Sequence, residues 1–401
     1  MTTLQPETHY SRYLIQALEE NPGAVNLLIY ADRNSKNLAL SYRNLKLVWT
    51  SNIIFPFQIF RQILADRPTV VHLQHEINMY GGPLTAMLFP FLLFLLRVIR
   101  INLIVTVHSV VPKEEIDREF LYTFSWPLRI GLITLVRLFL SILYRSIGLL
   151  ANTTIVHSAF MASILKQDYG IPSEKIAVVP IGVPAPRLLV NTEISTDRPW
   201  ANSIQQKKII LYFGYIIRRK GLEYLIDAFD IIHSQFPDHV LLLAGGELGY
   251  QSEYATGLRQ DVERRGLNNH IIFTSFLDGD EIEKLYARCE FVVLPYTYSI
   301  SSSLPLSFAL QYSKPIIATR IGTMAEEVRD GVNGLLVPPR DASALAQAMI
   351  SLASNRQLRE RLANGAQQNA RERTWSKVAD KTLQIYRLCI ENQEGDPRGI
   401  Q

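Results

Sequence analysis

The chain has 401 residues, 48% of them apolar and 19% charged, an ordinary globular composition long enough for two domains of about 150 to 200 residues each. Its two cysteines, Cys289 and Cys389, stand far apart with no Cys-x-x-Cys pairing or histidine cluster beside them, so neither a disulfide framework nor a structural zinc site is expected and a reducing cytosol fits. The net charge of +4 arises entirely in residues 1–175, which hold 16 Lys and Arg against 12 Asp and Glu, whereas residues 176–401 hold 25 of each.

Residues 8–20 (THYSRYLIQALEE) carry apolar positions at helical spacing. AVNLLIYAD (24–32), TVVHLQHE (69–76), LIVTVHS (103–109) and NTTIVHS (152–158) read as short buried strands separated by helical or loop stretches, an alternation that points to a parallel, doubly wound sheet. Two long apolar runs lie among them, at 82–109 and 127–150, and no acidic residue occurs from Ile77 to Lys113 or from Pro127 to Leu150. Arg97, Arg100, Arg129, Arg137 and Arg145 interrupt these runs short of the about 20 apolar residues that span a bilayer core of roughly 30 Å, so no transmembrane helix is expected. Such a basic, apolar helix suits an anionic membrane surface; the plainer alternative is a helix packed on a sheet with its arginines at the solvent edge. The opening MTTLQPETHYSRYL lacks the basic-then-apolar start of a secretory signal.

KIAVVPIGV (175–183) is one more strand, and the polar, proline-bearing stretch after it reads as a linker. The expected division is therefore 1–185, a linker at 186–206, 207–375, and a C-terminal helix and tail at 376–401. In the second half the strands KKIILYFG, HVLLLAGG, HIIFTSFL, FVVLPY and PIIATR alternate with helical stretches, and Asp341 is placed to cap the helix that begins ASALAQAM. Ligands of such sheets bind beyond the carboxyl ends of the strands, so the loops there are where chemistry is sought.

Two loops stand out. GYIIRRKG (214–221), opened by Gly214, places Arg218, Arg219 and Lys220 after a strand and before a helix, where guanidinium and ammonium groups can hold a diphosphate; a solvated basic turn is the bland alternative. In ISSSLPLSFALQYSKP (300–315), Ser301, Ser302 and Ser303 precede a helix beginning near Leu304, with Pro305 in its first turn. The N–H groups at that start and the serine hydroxyls suit an anion, and simple helix capping is the alternative.

The order of these segments, with SLPLSFALQYSKPIIAT followed by AEEVRDGVNGLLVPPRD, resembles the C-terminal half of the retaining nucleotide-sugar glycosyltransferases of the GT-B fold, specifically over about residues 205–390. In the first half the resemblance is looser and rests on HLQHE, the glycine pair, TVHS, IVHS and VVPIGV. It implies an α/β architecture of two Rossmann-like domains whose parallel sheets face each other across a cleft. It also implies that Lys220 contacts the donor phosphates, that Tyr215 stands where an arginine is usual so that Arg218 or Arg219 substitutes, and that Glu326 occupies an acidic donor position at a helix start. Gly331, Asn333 and Gly334 match a DGxNG turn. The two glutamates usual in the family fall on Ile300 and Phe308, so both carboxylates are missing. His108, ending LIVTV, resembles the histidine that faces the donor sugar. His75 and Glu76 are candidates for the acceptor side, or else sheet-edge residues, and Gly81 and Gly82 allow close backbone approach to an acceptor. Domains of this kind begin with a strand ahead of the first helix, so either that strand is absent or the chain starts upstream of Met1, and the second is expected.

The implied function is transfer of a sugar from a nucleoside diphosphate sugar to a lipid-linked or polysaccharide-precursor acceptor, by front-face retention, with no metal and no cofactor beyond the donor. A cytoplasmic protein, peripheral on the inner face of the membrane and without a nucleic-acid partner, is expected. The alternative is a catalytically degenerate, glycosyltransferase-like binding subunit; a sugar-nucleotide epimerase fits less well.

Overall fold

The computed structural model describes residues 6–21, 23, 25–35, 44–77, 79–117, 120–121, 132–187, 194 and 198–394. Two compact units share the described residues: those of 6–121, 132–181 and 375–394 form the first, and those of 182–374 the second. Residues 188–193 and 195–197 of the expected 186–206 linker, Arg129, and residues 395–401 lie outside the described residues.

The first unit runs α1 (Pro6–Glu19), β1 (Ile29–Asp32), β2 (Leu45–Trp49), α2 (Phe55–Asp66), β3 (Val70–His75), α3 (Phe89–Val98), β4 (Asn102–Val107), α4 (Leu132–Leu150), β5 (Thr153–Val156), α5 (Ala159–Gln167) and β6 (Ile176–Val178). Strands β3-β4-β5-β6 form one parallel sheet with Val70 opposite Asn102, Ile104 opposite Thr153 and Thr154 opposite Ile176. Every residue of β4 is buried, as its β-branched run requires of an inner strand covered by helices. β1 and β2 pair in parallel as a separate two-stranded sheet. In a doubly wound order of 3-2-1-4-5-6 a strand would stand between β1 and β3; among the described residues none does. The strand expected ahead of α1 would lie upstream of Met1, and Met1–Gln5 themselves are outside the described residues.

The second unit runs β7 (Lys208–Phe213), α6 (Leu222–Ile232), β8 (His239–Ala244), α7 (Ser252–Arg264), β9 (Ile271–Phe273), α8 (Gly279–Arg288), β10 (Phe291–Leu294), α9 (Leu304–Gln311), β11 (Ile316–Thr319), α10 (Gly322–Glu327), β12 (Gly334–Val337), α11 (Ala342–Ser354) and α12 (Arg356–Glu372). Helix starts are fixed by side chains: Asp278 and Glu281 form a capping box on α8, and Asp341 accepts from the Ala344 N–H to start α11. All six strands are parallel in the order β12-β11-β10-β7-β8-β9. The chain builds outward from β7 through β8 to β9, then returns to the other side of β7 with β10. The topological switch point is therefore between β7 and β10, and the crevice outside their carboxyl ends is where such a sheet takes a ligand.

The last helix, α13 (Trp375–Glu394), read from the sequence as a segment of its own, belongs to the first unit. Its Trp375, Val378, Ala379 and Leu383 share one core with Tyr10, Leu14 and Leu18 of α1 and with Ile104 and Ile155 of the sheet.

A candidate anion site at the switch point of the second unit

The loops after β7 and β10, the two singled out by sequence, flank the switch point and touch. Gly214 (φ 143°) donates its N–H to the Ala244 carbonyl at 3.0 Å, and a Cβ on Gly245 would lie 2.1 Å from the Gly214 oxygen, so the loops after β7 and β8 can pass only as bare backbone. Arg218–Lys220 make one 3-10 turn ended by Gly221 at φ 64°. A Cβ there would meet the Pro295 carbonyl oxygen at 2.2 Å. The Thr297 N–H donates to the Arg219 carbonyl at 3.0 Å, which ties the two loops together.

This contact buries Lys220. Its Nζ stands 3.4 Å from the centre of the Tyr296 ring, and among the described residues no carboxylate pairs with it. Burial, with the Arg219 charge adding, holds its pKa well below the ordinary lysine value. Of the two arginines considered for the missing family position, Arg218 is exposed, its guanidinium carbon 5.0 Å from the Tyr254 ring centre. Arg219 points inward: its Nε is buried and has no hydrogen-bond partner. Tyr215, in the family arginine's place, is half-buried with its ring edge toward Phe276.

The serine loop divides its labour. Ser303 is the N-cap of α9, its Oγ accepting from the Leu306 N–H at 3.4 Å and lying 3.3 Å from the Tyr296 hydroxyl. Ser299 Oγ is 3.0 Å from Thr323 Oγ1, which donates to the Ser301 carbonyl at 2.9 Å and joins the loop to the start of α10. The Ser302 Oγ is buried with no partner. Leu304, the first residue of α9, is half-buried, and Pro305 follows it. The two positions that lack the family glutamates are core: Ile300 is buried, and the buried Phe308 stacks on Tyr286 with ring centres 5.3 Å apart.

Glu326 lies near the end of α10 rather than at its start, and it is exposed. Its neighbour Glu327 is the buried one, paired with Arg373 at 3.1 Å. The DGxNG turn is held by Asn333, which accepts the Arg329 N–H at 2.7 Å and donates to the Glu327 carbonyl at 3.2 Å, with Gly331 at φ 70°. Sequence reading missed Phe276, 51% exposed just past β9, where its ring sits over Gly246.

In the first unit His75, His108 and His157 follow one another across the carboxyl ends of β3, β4 and β5, all three are buried, and the last two belong to one hydrogen-bonded chain. His157 Nδ1 is 3.0 Å from the Val179 carbonyl, His157 Nε2 is 3.0 Å from His108 Nδ1, and His108 Nε2 is 2.9 Å from the Gln74 side-chain amide. A carbonyl only accepts, so His157 carries its proton on Nδ1 and His108 donates from its own Nδ1. His108 Nε2 is then an acceptor, which turns the NH2 end of the Gln74 amide toward it. Burial, with the neighbouring imidazoles adding, keeps His108 neutral. The His108 N–H goes to the His75 carbonyl. The expectation that the backbone or ring of His108 faces a donor sugar meets a side chain that is 8% exposed, its N–H and both ring nitrogens engaged by neighbours. His75 is corrected as an acceptor-side residue, because it is 2% exposed, packed on Phe89 with ring centres 4.4 Å apart. Glu76 is half-buried and accepts from Ser109 Oγ at 2.6 Å. Gly81 (φ 127°) backs onto Thr85, whereas Gly82 has open space where a Cβ would be.

A family model described as Glycosyltransferase Family 4 matches residues 9–187, and one described as Glycosyl transferases group 1 matches residues 194–369. The D-inositol 3-phosphate glycosyltransferase of Corynebacterium urealyticum is 27% identical over 251 residues, 62% of this chain and 59% of that protein. O-antigen chain mannosyltransferase C of Escherichia coli is 26% identical over 227 residues, 55% and 56% of the two chains. The chain thus spans less than two thirds of the length of the curated relatives it matches. The crystal structure of Anabaena HepE with UDP superposes at a TM-score of 0.72 and 18% identity over 96% of this chain and 97% of that one; HepE has also been solved with UDP-glucose. The chain belongs to the GT-B glycosyltransferases, its first half to Family 4 and its second to group 1.

Proposed function

We propose that the chain transfers a sugar from a nucleoside diphosphate sugar to a lipid-linked or polysaccharide-precursor acceptor, and that the crevice between the loops after β7 and β10 holds the donor diphosphate. The observation that carries this reading is Lys220, a buried ammonium with no carboxylate partner among the described residues, beside two further buried polar atoms without partners, Arg219 Nε and Ser302 Oγ. Leaving such groups unmade is costly, and a diphosphate supplies both the charge and the acceptor oxygens they lack. UDP bound to HepE, a protein of the same fold, supports a nucleotide donor.

In the transfer, the bond between the anomeric carbon and the β-phosphate oxygen breaks while the acceptor oxygen bonds to that carbon, and the acceptor's proton passes to the departing phosphate. Lys220 and Arg219 stabilise the charge that develops on the leaving group. With no carboxylate in the places of Ile300 and Phe308, retention would proceed on one face of the sugar without a covalent enzyme intermediate. Those same two substitutions favour a second reading, a subunit that binds nucleotide sugar without turnover.

Calorimetric titration with UDP, GDP and ADP, beside a Lys220→Ala variant, tests the site: one nucleotide should bind in the micromolar range and lose at least about tenfold in the variant. A folded protein that binds none of the three sinks the donor site. Release of nucleoside diphosphate from a bound donor in the presence of acceptor then separates the enzyme from the binding subunit.

A further inference from the structure

We infer that the first unit docks on an anionic lipid surface through the outward side of α2, α3 and α4. The inference stands apart from the donor site, which lies in the other unit.

Of the 19 exposed large apolar residues among those described, 12 fall between Ile53 and Leu149. Nine of the 12 are carried by three helices packed side by side with α3 in the middle, and Ile53, Ile54 and Met87 lie just ahead of α2 and α3. Phe57 of α2 touches Phe91 of α3, ring centres 5.4 Å apart, although both rings are exposed. Further along α3, Phe94 and Val98 are 53% and 63% exposed, and α4 adds Leu135, Leu138 and Ile142, each more than half exposed. Burial of α4 is confined to one stripe, Val136, Leu140, Leu143, Tyr144 and Ile147, fixed by the Tyr144 hydroxyl on the Ser109 carbonyl at 3.1 Å and by Gly148 against Ile171. By length and composition this 19-residue helix could cross a membrane, but crossing would strip that stripe from the core. A helix anchored on one side and apolar on the other lies in the plane of an interface.

The charges choose the occupant. Arg61, Arg97, Arg137 and Arg145 are exposed on the same three helices, and none has a carboxylate partner among the described residues. No acid occurs from Ile77 to Lys113, and Asp66 at the end of α2 is taken by Lys46 at 2.6 Å. A second copy of this face would set arginine against arginine. Anionic headgroups pair with the guanidinium forks while the acyl boundary takes the phenylalanines and leucines.

The test is cosedimentation of the full chain with phosphatidylcholine vesicles with and without phosphatidylglycerol, using Arg137→Ala/Arg145→Ala and Phe94→Ser/Leu138→Ser, each shown to be folded by circular dichroism. Binding should require phosphatidylglycerol, fall with added salt, and weaken about fivefold per arginine removed. The apolar pair should weaken it as strongly. Equal binding to neutral vesicles, no binding to either, or binding indifferent to both pairs overturns the proposal. So does a dimer in vesicle-free solution that Phe94→Ser/Leu138→Ser dissociates, since the face would then belong to a second copy.

Discussion

Lys220 stands with its Nζ 3.4 Å from the centre of the Tyr296 ring and, among the described residues, without a carboxylate partner. The unfolded chain holds this lysine's proton at an ordinary affinity and the folded chain more weakly, so below the ordinary lysine pKa the proton opposes folding. Lys220→Met, which keeps the volume and removes the buried charge, should therefore melt at a higher temperature than the wild type while losing nucleotide affinity. Affinity of the wild type should also fall as pH rises toward the ordinary lysine pKa, and the variant's should not. A variant that melts lower, with affinity intact, would make Lys220 a structural residue.

The two arginines beside it should separate in the same titration. Arg219 has a buried, unpartnered Nε, whereas Arg218 lies exposed over Tyr254. Arg219→Ala should lose about tenfold or more in nucleotide affinity, the scale of a charge-assisted hydrogen bond, and Arg218→Ala less than about twofold. The reverse order would put the outer arginine on the phosphates.

Phe308 explains why α9 carries no acid. The ring is part of the core, stacked on Tyr286 and edge-on to Phe213. Phe308→Glu should not restore a ribose ligand; it should bury an unpaired charge and cost about 3 to 5 kcal/mol, read as a lower urea midpoint. Phe308→Leu should cost less than about 1.5 kcal/mol. If Phe308→Glu folds normally and tightens nucleotide binding, the side chain can reach the crevice after all.

These contrasts show what the sequence could and could not tell. Strand and helix order in the second unit follows from apolar runs punctuated by Gly and capping residues, and the two functional loops could be named because they follow strands β7 and β10. Which of three adjacent cations turns inward could not be read, since that depends on Gly221 allowing the Pro295 loop to close over the turn. His108 looked like a strand-end ligand, and only the three-dimensional neighbours Gln74 and His157, distant in sequence, show that its ring nitrogens are engaged. Helical periodicity likewise gave α13 its apolar stripe but not the fact that the stripe packs beside α1.

The histidines of the first unit's sheet, His72 and His75 on β3 and His108 after β4, should make that unit acid-sensitive. Burial lowers the pKa of His72 to about 4 and of His75 to about 3, and that of His108 well below the ordinary value. The unfolded chain takes up these protons near pH 6.5 and the folded one does not, so stability is complete above that pH and is lost as pH falls toward the folded values. Each such histidine costs roughly 1.4 kcal/mol per pH unit within that window. Between pH 6.5 and 5, where carboxylates stay ionised, the urea midpoint should drop steeply, and less so in His75→Leu. A flat profile over that range would mean that water reaches the rings.

Gly221 offers the sharpest test of how the crevice is built. Its φ of 64° alone would charge an alanine about 1 to 2 kcal/mol. The added methyl would also sit 2.2 Å from the Pro295 carbonyl oxygen, a backbone atom that cannot swing aside as a side chain could. Relief must come from moving the 295–303 loop away from the 214–221 loop, which breaks the Thr297 to Arg219 hydrogen bond and lifts Tyr296 off Lys220. Gly221→Ala should thus lower the melting temperature and weaken nucleotide binding together. Gly279→Ala, which opens α8 into free space at ordinary φ, should leave both unchanged. A Gly221→Ala protein that is destabilised but binds nucleotide with full affinity would show that the closure of these two loops stabilises the unit without forming the anion site.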